Sequence, residues 1–273
     1  MQRITRPVLL SIALSLATFT LTAQPALAAP PSNDALRHAI AITTLPFIHR
    51  EDTSEATASG PKFCSNSSSV FFSFTPTHDV TVQADTIGSN YDTTLAVFTG
   101  SHSTVNPIDC NDDAVGLASA VRLDAEAGTT YYFQVATCCG SGQDNVGGRL
   151  VFELIQAEQK EPTVEATFAS ATLLPGRIVH LTGTVTCDQR VGAEAFGTIR
   201  QLNGDLIARA EFDVFPIWCD PERGGRFSVF VDSETGVAFR PGSASTRTNV
   251  FATNGFESTF NPGTRTRVRL DQP

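Results

Sequence analysis

From residue 69 onward, apolar and polar side chains alternate in short runs. In "SVFFSF" (69–74), Val70, Phe72 and Phe74 share one side, and in "VTVQA" (80–84) Val80, Val82 and Ala84 do so. The same two-residue period continues through "TTLAVFTG" (93–100), "AVRLDA" (120–125), "TTYYFQVA" (129–136) and "GRLVFELI" (148–155). Gly, Asn, Asp and Pro lie between these runs, and β-branched and aromatic residues fill them, which is the pattern of half-buried strands joined by turns. A polar break, "QAEQKEPT" (156–163), interrupts the series. It resumes in "TVEATFAS" (163–170), "RIVHLTGTVTC" (177–187), "FGTIRQL" (196–202), "LIARAEFDVF" (206–215), "GRFSVFVD" (225–232) and "TNVFAT" (248–253). Helical signals are confined to "SNDALRHAI" (32–40), where Asn33 or Asp34 is placed to cap a short helix. The pattern therefore predicts an all-β protein of two antiparallel β-sandwich domains in tandem, residues 29–157 and 163–273, with 158–162 as linker.

The first 28 residues break this pattern. Arg3 and Arg6 precede an uncharged apolar run, Val8 to Ala23, then Pro25 and the small-x-small site Ala26-Leu27-Ala28. That order predicts a secretory signal peptide cleaved after Ala28. The apolar run is shorter than the roughly 20 residues a membrane-spanning helix needs. The mature chain is thus expected to carry no transmembrane segment and to be secreted, acting outside the cell or at its surface.

Composition adds compartment and excludes one class of partner. Six cysteines, Cys64, Cys110, Cys138, Cys139, Cys187 and Cys219, follow the predicted signal. An even number in an exported chain predicts disulfides. Cys187–Cys219 is expected in the second half. Cys187 shares the apolar side of its strand with Val179, Leu181 and Val185, so an inter-sheet bridge with Trp218 packed nearby follows. Cys64–Cys110 is the expected first-half bridge, with Cys138 and Cys139 joined to each other; the alternative pairs each of those two with Cys64 or Cys110. The chain is acidic, with a formal net charge of −9. Residues 29–160 hold 6 basic and 15 acidic side chains, and 161–273 hold 11 and 13. The difference supports a boundary near 160, and the overall sign argues against nucleic acid as a partner.

The densest chemistry is "IDCNDDAVG" (108–116). A carboxylate pair can act as general acid and base only in a cleft that sets the two groups apart. GxSxG, HExxH and glycine-rich phosphate loops are absent, and His38, His49, His78, His102 and His180 lack zinc-ligand spacing. The sequence reading is accordingly of a protein without catalytic residues. An EF-hand started at Asp109 would need Gly at 114 and Glu at 120, where the chain has Ala114 and Ala120. Two readings stay open. Asn and Asp cap turns through their own backbone; alternatively Asp92, Asn111, Asp112 and Asp113 converge from adjacent loops as oxygen ligands for Ca2+.

Beyond the pattern, "NDALRHAIAITTLPF" (33–47), "SVFFSFTPT" (69–77), "GSNYDTTLAVFTG" (88–100), "CNDDAVG" (110–116) and "AGTTYYFQVA" (127–136) come in an order that resembles the bacterial pre-peptidase C-terminal domain. The resemblance covers about residues 30–155. It implies a β-sandwich found as a non-catalytic appendage of secreted hydrolases, some members of which bind calcium. Asp92, Asn111, Asp112 and Asp113 match its acidic motif positions. The second half, through "VHLTGTVTCDQ" (179–189), "IRQL" (199–202), the Cys219 region and "FRPGSASTRTNV" (239–250), is similar to a small exported bacterial domain family of unknown function. That likeness implies an immunoglobulin-like sandwich with one bridge. Together these readings give a secreted binding or adhesion protein for an extracellular polymer or protein, with Tyr91 as a candidate exposed contact; the alternative is a calcium-stabilised accessory module of a secreted hydrolase.

Overall fold

The computed structural model describes residues 29–64, 67–138, 146–157 and 160–272. The predicted signal peptide and Cys139 lie outside the described residues. The first half contains strands β1 (Ile40–Ile42), β2 (Phe47–Asp52), β3 (Ser69–Phe74), β4 (Val80–Asp85), β5 (Thr93–Ser101), β6 (Thr104–Asn111), β7 (Ala120–Ala125), β8 (Tyr131–Thr137) and β9 (Arg149–Gln156). They form two sheets, ordered β1-β3-β8-β5-β6 and β2-β9-β4-β7. Only β1 and β3 pair in parallel; the other pairs are antiparallel. Phe72 of one sheet stacks on Phe152 of the other with ring centroids 4.1 Å apart. Around them Val70, Val82, Leu95, Val97, Val121, Phe133 and Leu154 close the core. Burying each such side chain is worth about 1.5–3 kcal/mol, so the alternating runs bring the two sheets together.

The second half contains β10 (Val164–Leu173), β11 (Val179–Cys187), β12 (Val191–Asn203), β13 (Leu206–Cys219), β14 (Gly225–Val231), β15 (Gly242–Thr253), β16 (Ser258–Asn261) and β17 (Arg265–Leu270). One sheet is ordered β10-β11-β14; the other is β13-β12-β15-β16, with β17 also paired to β15. Val179, Leu181 and Val185 face inward, as their alternation predicts. Cys187 and Cys219 bridge the two sheets with Cα atoms 6.2 Å apart, and Cys64 and Cys110 are bridged at 5.8 Å. Cys138 is disulfide-bonded.

Three expectations are corrected. The capped helix is only a three-residue 3-10 turn, Leu36–His38, without a side-chain cap. Asn33 is buried instead, and its amide donates to Glu51 Oε1 at 2.9 Å. Asp34 accepts the Thr57 hydroxyl at 2.6 Å. The chain must reach β1 within a few residues, and tertiary bonds outcompete a helix that short. Tyr91 is not exposed: it packs against the first core, and burial raises its phenol to about 12. Trp218 packs outside its own sandwich, against Ile87, Val115 and Ala118 of the first.

That last contact belongs to a joint between the sandwiches. Asp85 and Glu153 stand directly opposite each other on β4 and β9, and both are buried. Like charges so placed repel. Arg190, entering from the second sandwich and only 8% exposed, meets both. Its Nη1 lies 3.1 Å from Glu153 Oε2 and 3.6 Å from Asp85 Oδ1, and its Nη2 donates to the carbonyl of Ile87. Arg122 holds Glu257 through two 2.9 Å bonds and lies 4.3 Å over the Phe256 ring. Arg50 reaches Asp220 at 3.5 Å. The apolar part is close-fitting: a Cβ added to Gly192 would sit 2.1 Å from Val115 Cγ1.

Removing one partner of a buried charge cluster costs about 3–5 kcal/mol. Arg190→Met is therefore expected to lower unfolding free energy by that amount in urea titrations. A loss below about 1 kcal/mol would mean the joint does not couple the two halves. Burial, followed by the charge of Asp85, raises the Glu153 carboxyl from 4.5 to about 7. Between those values the folded protein keeps a proton that the unfolded chain has released. The stabilising contribution of this group is complete below pH 4.5 and lost as pH rises through 7. Glu153→Gln is expected to flatten the fall in melting temperature between pH about 5 and about 8.

Candidate functional site

The acidic stretch divides at a strand end. Asp109, Cys110 and Asn111 finish β6, and Asp112 and Asp113 begin the following loop. The loop is pinned at several points. Ser119 Oγ donates to the carbonyl of Asp112 at 2.8 Å, the amide of Thr93 donates to the carbonyl of Leu117, and Val115 and Ala118 form an isolated bridge. Asp92 precedes β5, and its carbonyl accepts the Cys138 amide at 3.0 Å. These constraints bring one carboxylate oxygen each of Asp92 and Asp112, and the Cys138 sulfur, within 4.8 Å of one another. Burial raises the Asp92 carboxyl, and the charges of Asp112 and Asp113 raise it further. Asp112 is raised by burial and then by Asp113.

The four residues singled out from sequence thus separate. Asp92 and Asp112 converge, and Asp113 acts on both through its charge. Asn111 is committed elsewhere: its Oδ1 accepts the backbone amide of Ala120 at 3.0 Å. Cys138 is disulfide-bonded, so it offers no thiolate. The donor chemistry suits a hard cation at the two converging carboxylates, because such ions take oxygen ligands; the sulfur adds nothing to it. Histidines are engaged at other places. His49 lies 3.7 Å from Glu51, His102 meets Tyr132 edge-on, and His180 bonds Ser228 at 2.7 Å and stacks on Phe230.

A second arrangement was not picked out by the sequence reading. It occupies the outer face of the β13-β12-β15 sheet, where β16 and β17 both pair with β15. Arg209, Arg200, Ser245 and Arg267 are register partners in one row across β13, β12, β15 and β17. Glu211, Thr198, Arg247 and Arg265 make the next row. An open groove of about 370 Å³ runs between Arg200, Arg209, Arg247 and Arg265. Further along the strands Asp213, Phe196 and Asn249 form a third row, and Glu194, Phe251 and Phe260 a fourth. Phe251 is 37% and Phe260 54% exposed, and Phe196 stacks on Phe260. Burial, and then Asp213, raise the Glu194 carboxyl.

Another cleft, of about 430 Å³, lies at the joint and is lined by Arg50, Arg149, Arg190, Trp218, Asp220 and Arg223. Most of its cations are already satisfied: Arg50 and Arg223 by Asp220, and Arg190 by Asp85 and Glu153.

No family model matches the chain, and no curated protein matches it. Solved structures with weak likeness include a β-galactosidase from Bacteroides fragilis (TM-score 0.24, 14% identity, covering 72% of this chain and 32% of that one). They also include a β-glucuronidase from Bacteroides uniformis (0.21, 10%, covering 74% and 26%). A third is a DUF4785 family protein from Legionella pneumophila (0.23, 11%, covering 83% and 60%). The chain spans only about a third or less of the two glycosidases. Likeness at these TM-scores assigns it no activity and no ligand.

Asp92→Asn removes one charge from a mutually repelling group. In chelator at neutral pH this variant is expected to melt no lower than the parent. A clear drop in calorimetric melting temperature would mean the carboxylate has a structural hydrogen-bonding role instead.

Proposed function

We propose that this chain is an exported, non-catalytic binding protein whose two sandwiches act as one rigid body on an extracellular polymer. Two disulfides fit an oxidising compartment. Among the described residues no helix is long and apolar enough to cross a membrane. The observation that carries the reading is the Phe251–Phe260 pair. Exposed apolar side chains are ordinary when scattered. Here two face each other across neighbouring strands, with Phe196 stacked behind them, on an open sheet face. Flat aromatic surface on a rigid sheet suits the ring faces of a polymer, and the rigid joint spares the ordering cost of binding. Proposed export through the signal peptide, and kinship of the first half with pre-peptidase C-terminal domains, belong to the same reading.

Retention of the full chain on a panel of insoluble extracellular polymers tests it. Phe251→Ala with Phe260→Ala should weaken retention about 10-fold, equivalent to about 1.4 kcal/mol, without changing the melting temperature by more than a few degrees. Retention unchanged in that double variant, or substrate turnover by the parent, would refute the reading.

The convergence of Asp92 and Asp112 favours a second, compatible role as a calcium-stabilised accessory module. A cation there would relieve the repulsion that raises both carboxyls. A ligand bound only by the folded state stabilises it by about 2.7 kcal/mol at 100 times its dissociation constant. Calcium should therefore raise the melting temperature and chelator lower it, with the response lost in Asp92→Asn, Asp112→Asn. A melting temperature indifferent to calcium leaves the stretch as a turn.

A further inference from the structure

We infer that the arginine rows on the outer sheet face of the second sandwich bind an acidic polysaccharide, with its anionic groups seated on Arg200, Arg247, Arg265 and Arg267. This rests on the binding-protein reading above and names its ligand class.

The cross-strand register carries the argument. Arg200 stands directly opposite Arg209, and Arg247 directly opposite Arg265. Like charges in that position destabilise a sheet. The ion pairs of this region are Arg209 with Glu211 and Arg269 with Asp271. Among the described residues Arg200, Arg247, Arg265 and Arg267 form none. Two adjacent rows thus hold five guanidiniums against one carboxylate, in a chain whose formal net charge is −9. The overall sign does not cancel this patch, since charges beyond about 8 Å are largely screened at physiological ionic strength.

The geometry selects a repeating anion. Strands lie about 4.8 Å apart, and same-face residues along a strand recur at about 6.6 Å. The guanidiniums therefore form a flat lattice, without a closed pocket for a single small ion. Each guanidinium can donate a planar pair of bonds to a carboxylate or sulfate. Ser245 and Thr198 place hydroxyls within the same rows. The aromatic rows continue along the same strands and offer ring faces to uncharged parts of a sugar chain. Glu194 and Asp213 lie at that aromatic end, away from the groove between the arginines, so they do not neutralise it.

The test compares binding of the full chain to polygalacturonate (carboxylate), dextran sulfate (sulfate), neutral dextran, polyglutamate and duplex DNA. The parent should bind polygalacturonate or dextran sulfate at least 10-fold tighter than neutral dextran, weakening as salt rises; which of the two prevails identifies the anion. Arg200→Ala with Arg247→Ala should weaken that binding at least 10-fold and reduce its salt dependence. The pair Arg177→Ala, Arg226→Ala, outside both rows, should leave it unchanged. Since the double variant removes repulsion, its melting temperature should not fall, and a normal melt with lost binding supports the assignment. Equal or tighter binding to polyglutamate or DNA, or acidic-glycan binding indifferent to the arginine variant, overturns it. Binding to neutral dextran alone, lost in the phenylalanine variant, overturns the acidic ligand yet leaves the polymer-binding reading intact. Failure to bind any polymer counts against both.

Discussion

Asp85 and Glu153 are two buried acids facing each other across adjacent strands of the first sandwich, with their compensating cation on the second. Buried and facing each other, the two acids carry the cost of desolvation and mutual repulsion. Arg190 removes much of that cost only when the second sandwich is docked. Its position just before β12 ties it to the strand that pairs with both β13 and β15. A shift of the joint would therefore leave three charges in a low-dielectric setting without their partners. Inter-domain contacts within a chain are mobile by default. This one is held by a buried ion cluster, a bidentate Arg122–Glu257 pair and an apolar plug around Trp218.

Much of the architecture was legible because strand alternation is a local signal. "SVFFSF" and "AVRLDA" coincide with β3 and β7 residue for residue. The Cys187 side of β11 faces inward as its neighbours do, and both long-loop disulfides form. What escaped was non-local or weakly patterned. β1 is three residues long, β6 contains Pro107, and β17 reads as a polar tail. Tyr131 and Tyr132 show the limit of alternation in another way. It sends them to opposite faces, yet both are buried, because Leu36, Ala39 and Val105 cover the side away from the core.

The functional surface was harder to read for a related reason. Residues 161–273 are slightly acidic as a whole, which conceals five arginines placed on one face by three strand pairings. A trace was present: Arg265, Arg267 and Arg269 recur every second residue. Only the register of β17 on β15 sets Arg265 beside Arg247 and Arg267 beside Ser245. The acidic stretch behaved conversely. Its residues were conspicuous in sequence, yet Asn111 serves the backbone of Ala120, and the two carboxylates that meet come from segments twenty residues apart.

The acidic loop and the joint are mechanically continuous. Asp112 begins the loop that carries Val115 and Gly116 onto Gly192, Phe215 and Trp218 of the second sandwich. Ser119, at its far end, is bonded to both Asp112 and Thr93, next to Asp92. A change in charge at Asp92 and Asp112 is therefore felt by a loop already fixed at both ends and docked in its middle. The loop that begins at Asp112 is thus the same one that packs Val115 and Ala118 against Trp218 at the joint. The arginine face lies on the sheet whose strands β12 and β13 supply Gly192 and Trp218. Orientation of that face relative to the first sandwich thus depends on the same few contacts. The proposed cation seat lies at one end of this chain of contacts and the proposed polymer surface at the other.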